Sequence, residues 1–341
     1  MEAIPTIDIA AWAAPELHSD AQRRATAAEW NDAMSTVGFG VVSGHGVGLE
    51  LIEGMRAAAR EFFAQDGEAK MAWNHGPYGN SSGGYTAQGV ESVSRAGTMS
   101  DGSAAAAPAD LVENYVLRGR PEQWGAAPGT PGLPAEGPLP AHAPQLADIA
   151  VRYHRELERV LGALNDMSAA ALGLEPGFFA RFHSPADCSL RLAHYPPIGP
   201  AAQVGALRYG AHSDYQGFTI LLQDWEDEGR AGSGGLEVQS PDRASWIPVE
   251  PQPGCFVVNI GDLHEVWTNG RWRSTVHRVT NPPPGSPARL QSRFSIPFFT
   301  GPSGDSIIEV LPTCVDEDHP AQWAPVSAKE HLRSKLAVSN L

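Results

Sequence analysis

Hydrophobic and polar positions divide this chain into two textures. Up to about residue 185 the pattern is mostly helical. Asp20 to about Ser35 and Glu50 to Ala64 carry helical spacing, the second with Leu51, Met55, Ala59 and Phe62 on one face. A long helical segment runs from about Leu146 to Leu172. Two short strands interrupt this texture: Ile4–Ile9, kept at an edge by Pro5, and Val37–Val42, ending in the turn Ser43-Gly44-His45-Gly46. From Ser189 onward the chain reads as short strands separated by turn signals. They are Ser189–His194, Phe218–Leu222, Leu236–Val238, Ser245–Val249, Phe256–Ile260, Thr275–Val279 and Ser292–Phe299. Asn269-Gly270 predicts a hairpin that folds Glu265–Trp267 against Arg271–His277. The expected class is mainly β with flanking helices. The expected organisation is a single catalytic domain, 1–341, with a mainly helical cap and lid region at 1–185, a β core at 186–300 and a C-terminal segment at 301–341.

Two stretches lack any sustained period. Residues 72–110, rich in Gly, Ser and Ala, read as a lid anchored by Gly83-Gly84-Tyr85 and Glu113-Asn114-Tyr115. Residues 125–144, rich in Pro, Gly and Ala, read as an exposed crossing loop.

Composition then narrows the partners. The net charge is −15, from 24 basic and 39 acidic side chains, which argues against nucleic acid or an anionic membrane. A small anion held by one or two buried arginines stays compatible with it. Cys188, Cys255 and Cys314 are odd in number and far apart, so they suggest neither a disulfide framework nor a thiolate zinc site; a cytoplasmic location fits best. No secretory leader and no membrane-spanning stretch is read.

The chemistry concentrates in Gly210-Ala-His-Ser-Asp214 and the strand after it. His212 and Asp214 are one residue apart, and on extended backbone such side chains share a face about 6.6 Å apart. The tripeptide alone decides nothing: His18-Ser19-Asp20 repeats it at a helix start, where Ser19 or Asp20 reads as an N-cap. A third ligand is therefore needed, and His277, in Ser274–Val279, supplies it. Two imidazoles and a carboxylate form a facial triad that leaves coordination positions open, the set of non-haem Fe(II) oxygenases. Farther on, Arg293 and Ser295 share a strand face and form a carboxylate clamp, to which Tyr195 adds a phenol. His45 and His264 read as turn and hairpin residues, not ligands.

Together, Ile4–Asp8, Gly38–Gly46, His194–Pro197, Gly210–Asp214, Val257–Asp262, Trp267–Gly270, Ser274–Val279 and Arg293–Ser295 resemble the isopenicillin N synthase-like family of Fe(II)/2-oxoglutarate-dependent dioxygenases, and in particular its bacterial branch. The resemblance covers most of the chain. It implies a double-stranded β-helix (jelly roll) core, with Fe(II) on His212, Asp214 and His277. Arg293, Ser295 and Tyr195 would hold the distal carboxylate of the cosubstrate 2-oxoglutarate. O2 would be consumed, succinate and CO2 released, and a small molecule hydroxylated, desaturated or cyclised. The chain departs from the family pattern in Leu263-His264, and in Pro282–Gly285, which lengthens the path from His277 to the clamp and favours Arg293 over the nearer Arg289.

Two other readings compete: an isopenicillin N synthase-type oxidase needing no 2-oxoglutarate, and a jelly-roll binding protein with no catalysis. The substrate expected from the resemblance is a natural-product or amino-acid-derived compound. Tyr85, Asn114 and Tyr115 on the lid, with Arg191 and Phe299 on the barrel wall, are its candidate contacts.

Overall fold

The computed structural model describes residues 3–74, 83–93, 108–121, 124, 144–183, 186–199, 205–225 and 234–339. The expected crossing loop at 125–144 falls almost wholly outside these residues, as do 75–82 and 94–107 of the expected lid.

The strands of the two main sheets are β1 (Thr6–Asp8), β2 (Phe39–Ser43), β3 (Gly84–Thr86), β4 (Glu113–Arg118), β5 (Asp187–Tyr195) and β6 (Tyr209–His212). After them come β7 (Phe218–Gln223), β8 (Leu236–Gln239), β9 (Trp246–Pro248), β10 (Phe256–Ile260), β11 (His277–Val279) and β12 (Arg293–Gly301). Among the described residues, eight of these form a large sheet in the order β1-β2-β10-β7-β12-β5-β4-β3, and four a smaller one, β6-β11-β8-β9. The two sheets make the jelly roll. The cap region is not purely helical, because it contributes β1 to β4 to both ends of the large sheet.

Alternation along the strands gives the large sheet two different faces. Ile220, Leu222, Val258, Phe298, Leu190 and Leu192 face outward, into the main core beneath the helices. Leu221 and Val257 face inward and pack with Val41, Leu236, Val238 and Val279 between the sheets.

Three helices cover the outer face, each for a local reason. The first, α2 (Asp20–Thr36), starts in a capping box, the Ser19 and Gln22 side chains each satisfying the other's backbone N–H. On α3 (Leu49–Phe63), Ile52, Met55, Ala59 and Phe62 fall on one buried face. On α5 (Pro144–Ala171), Leu146, Ala150, Tyr153, Leu157, Leu161 and Leu164 form a longer buried stripe. Between these lie the one-turn α1 (Ala10–Ala13) and α4 (Gly67–Met71).

The expected hairpin at Asn269-Gly270 does not form. Asp262–Trp267 is instead a short helix, α6, and the strand after the turn is confined to His277–Val279. Asn269 and Gly270 take left-handed backbone, φ 55° and 75°, and end that helix, the Gly270 N–H returning to the Glu265 carbonyl. Leu263, Val266 and Trp267 follow helical spacing and are buried, and that burial decides the outcome. An Asn-Gly pair signals a turn, not what flanks it. His264 is therefore a helix residue, fully buried against Phe218 and Trp267. The last helix, α7 (Ala328–Ser339), lies at the cavity mouth, where Leu332 borders it.

Candidate metal centre and cosubstrate pocket

β6 and β11 pair antiparallel with His212 directly opposite His277, so two residues remote in sequence become neighbours, their ring centroids 4.2 Å apart. Each Nδ1 lies near a carbonyl oxygen, at 2.9 Å from Gly210 for His212 and 3.1 Å from Thr275 for His277. A carbonyl only accepts, so both Nδ1 atoms carry the proton and both Nε2 atoms offer a lone pair. The two Nε2 atoms converge on Asp214 Oδ1, at 3.7 and 3.9 Å.

Asp214 lies two residues beyond the end of β6, not on the strand itself. Close backbone approach holds it there: the Asp262 N–H donates to the Asp214 carbonyl at 2.9 Å. A Cβ on Gly261 would come within 3.0 Å of that carbonyl and 2.8 Å of the Gln216 nitrogen, so glycine is required. Thr219 Oγ1 and Asn259 Nδ2 donate to Asp214 Oδ2 at 2.5 and 2.6 Å, which leaves Oδ1 toward the histidines. Burial alone would raise the Asp214 carboxyl. The His277 and His212 rings and these two hydrogen bonds outweigh it and hold the group ionised. Burial first, then the neighbouring His277, pushes His212 down and keeps it neutral. Two imidazoles and one carboxylate, all ligand atoms within 4.8 Å of one another, suit a divalent ion.

The expected clamp lies alongside. Arg293 pairs across β12 and β5 with Tyr195, and Ser295 with Ala193. Tyr195, Arg293 and Ser295 border a cavity of about 550 Å³ that also reaches His212, Asp214 and His277. Arg293 is 1% exposed, and its guanidinium lies 4.8 Å from the Tyr195 ring centroid and gives Nη2 to Gln223 at 3.3 Å. Its Nε and Nη1 are buried with no hydrogen-bond partner among the described residues. A buried cation with two unsatisfied donors is costly, and a carboxylate would satisfy both. The donors present therefore fit a keto acid that chelates the metal at one end and meets Arg293 at the other.

One buried arginine was not anticipated from the sequence. Arg208, before β6, has its pKa lowered to about 10, by burial first and then by Arg293. Two guanidinium charges thus lie near each other at Arg293. An arginine in a Gly/Ala-rich loop carries no periodic signal, so its direction could not be read. The supporting Asn259 and Thr219 were likewise missed.

The five expected substrate contacts separate. Arg191 and Phe299 border both this cavity and a larger cleft of about 1040 Å³ that opens to solvent beside His212 and Asp214. Tyr85 and Tyr115 border neither. They face the helices and pack on Phe62, and the Tyr85 hydroxyl bonds Glu113. The reason is parity: on β4, Glu113, Tyr115 and Leu117 turn outward, while Asn114, Val116 and Arg118 turn inward. Asn114 has the inward parity but is fully enclosed and borders neither cavity. His45, as expected, serves its turn, Nδ1 accepting from the Val47 N–H and Nε2 donating to the Gly254 carbonyl at 2.7 Å.

Known proteins share this architecture. Residues 186–302 match the 2OG-Fe(II) oxygenase superfamily, and residues 4–126 match the family described as non-haem dioxygenase in morphine synthesis N-terminal. A validamycin A dioxygenase of Streptomyces hygroscopicus subsp. limoneus is 33% identical over 336 residues, covering 97% of this chain and 85% of its own. A 2-oxoglutarate-Fe(II) type oxidoreductase of Metarhizium majus is 30% identical over 354 residues, 98% of this chain and 86% of its own. Among solved structures, a putative 2OG-Fe(II) oxygenase family protein from Caulobacter crescentus aligns with TM-score 0.78 and 30% identity, over 99% of each chain. A full-length Neurospora crassa protein in complex with alpha-KG aligns with TM-score 0.78 and 25% identity, over 98% of this chain and 96% of that one.

Proposed function

Because the chain belongs to the 2OG-Fe(II) oxygenase superfamily and is a non-haem Fe(II)- and 2-oxoglutarate-dependent dioxygenase, we propose that His212, Asp214 and His277 hold its iron, and that Arg293, Ser295 and Tyr195 receive the distal carboxylate of 2-oxoglutarate. The substrate is a small molecule, of natural-product or amino-acid-derived type. The carrying observation is the convergence of two free imidazole Nε2 atoms and one carboxylate oxygen beside a buried arginine with unsatisfied donors.

Iron, 2-oxoglutarate and O2 together supply the oxidising power, with succinate and CO2 as coproducts. The chain's own residues bind, orient and exclude water. The Gly210 and Thr275 carbonyls fix the imidazoles in the tautomer that leaves Nε2 free. Thr219 and Asn259 hold the Asp214 rotamer. Phe39, edge-on to His277 at 5.3 Å, and Leu221, Val279, Pro297 and Phe299 keep the surrounding wall apolar. The whole chain acts as one catalytic unit, in keeping with a main core that runs from Ile7 to Ala328. A cytoplasmic location suits its three free cysteines.

Anaerobic titration with Fe(II) and 2-oxoglutarate should develop the weak visible charge-transfer band, and His277→Ala should abolish it together with succinate formation. A wild-type protein that forms product without matching succinate would sink this reading in favour of the cosubstrate-independent oxidase.

A further inference from the structure

The inner wall of the large sheet carries a second arginine that the iron and the clamp do not use. Arg118, on β4, borders the larger cleft. Its Nε is buried with no hydrogen-bond partner, and no hydrogen bond or ion pair among the described residues takes up its guanidinium. The other arginine on that wall differs. Arg191 is answered within the protein by Glu91 at 2.6 Å and the Tyr209 hydroxyl at 3.1 Å. Clamp residue Arg293 is reserved by the reading above.

Strand register locates Arg118 relative to the metal centre. Arg118 pairs with Ser189, Ser189 with Phe299, and Phe299 with Thr219, the residue bonded to Asp214. One cross-strand row therefore runs from Arg118 to the metal centre. Three strand spacings make that row about 14 Å long. Along β12, Phe299 and Arg293 are six residues apart, about 20 Å, so clamp and Arg118 are separate sites at different ends of the wall.

Resting on the oxygenase assignment, we infer that Arg118 is a specificity residue that binds an oxyanion of the substrate, a carboxylate or phosphate on the order of 10 Å from the position oxidised. A guanidinium partly withdrawn from water is costly unless something pairs it, and a ligand oxyanion provides the pair. Ser189, beside it in the row, adds a hydroxyl. Asp187 borders the same cleft, makes no ion pair with Arg118 among the described residues, and accepts from a hydroxyl or ammonium of the same ligand. Val93, Val116, Phe299 and Leu332 enclose the apolar body.

The test uses the full chain loaded anaerobically with Fe(II) and N-oxalylglycine, which fills the clamp. Calorimetry then measures binding of 3-phenylpropionate, cyclohexanecarboxylate, 2-phenylethyl phosphate and the amides of the two acids. Wild type should prefer an anion over its matched amide by about tenfold or more, a difference of about 1.4 kcal/mol. The stronger of carboxylate and phosphate identifies the group read. Arg118→Gln should remove the preference, Arg118→Lys should keep part of it, and both should bind N-oxalylglycine as wild type does, which also shows that they fold. No anion preference in wild type, or a preference that survives Arg118→Gln, overturns the inference. Failure of wild type to bind N-oxalylglycine would instead overturn the cosubstrate assignment beneath it.

Discussion

Glu113 on the outer face of β4 and Arg118 on its inner face are partnered in opposite ways, although the outward Tyr115 hydroxyl is itself buried without a partner among the described residues. Outward, Glu113 is saturated: Lys70 donates at 2.8 Å, His194 Nδ1 lies at 2.6 Å, and the Tyr85 hydroxyl completes the set. His194 is stacked between Phe63 and Phe294, so the cluster is walled by aromatic rings. Inward, one residue further on, Asn114 is fully buried with both amide atoms unpartnered, and Arg118 has an unpartnered Nε. Across the wall, Arg293 is in the same condition. Buried polar groups cost stability unless they are bonded. The outer cluster meets that cost within the protein and so ties α4 to strands β3, β4 and β5. At Arg118 and Arg293, which border the cavities, the cost is left open for a ligand to meet; Asn114, enclosed away from both cavities, has no such completion.

Substitutions on each face should therefore fail in different assays. Largest is Glu113→Gln, which strands the Lys70 ammonium in the core and should cost about 3–5 kcal/mol in urea unfolding while leaving 2-oxoglutarate affinity unchanged. Its pH signature is distinct. Burial would raise the Glu113 carboxyl, but His194, Lys70 and Tyr85 bond its ionised form and hold it down to about 2. With the folded value below the unfolded one, this contribution is complete above pH 4.5 and lost as pH falls toward 2. Wild type should lose more stability than Glu113→Gln over that window. Equal acid sensitivity would show that the cluster does not make this tie.

Next is Arg293→Met on the inner wall. It should weaken 2-oxoglutarate binding about 100-fold, near 2.8 kcal/mol, in an anaerobic titration. The urea midpoint should hold or rise, because a buried charge without a partner has been removed. A large loss of stability would erase the contrast between the faces. Smallest is Thr219→Val, which takes one hydrogen bond from Asp214 and should lower Fe(II) affinity about tenfold by calorimetry. No change would mean that Asn259 alone holds the carboxylate.

Much of this molecule is local in origin and was legible in the chain. The α2 capping box, the apolar stripes of α3 and the 144–171 helix, and the alternation of the barrel strands depend on neighbours within a turn or two, so the sequence carries them directly. The residues proposed as ligands were nameable too: His212, Asp214 and His277 by their chemistry, and Arg293 with Ser295 by parity, although Asp214 lies past the end of its strand. What tertiary structure decided was partnership. Tyr85 and Tyr115 went to the helical side, because register, not residue type, sets which face of a strand meets the cavity. Asp262–Trp267 became a helix since Leu263, Val266 and Trp267 found a core to enter. Arg118 and Arg191 look alike on paper; only the fold gives Glu91 to one and leaves the other unanswered.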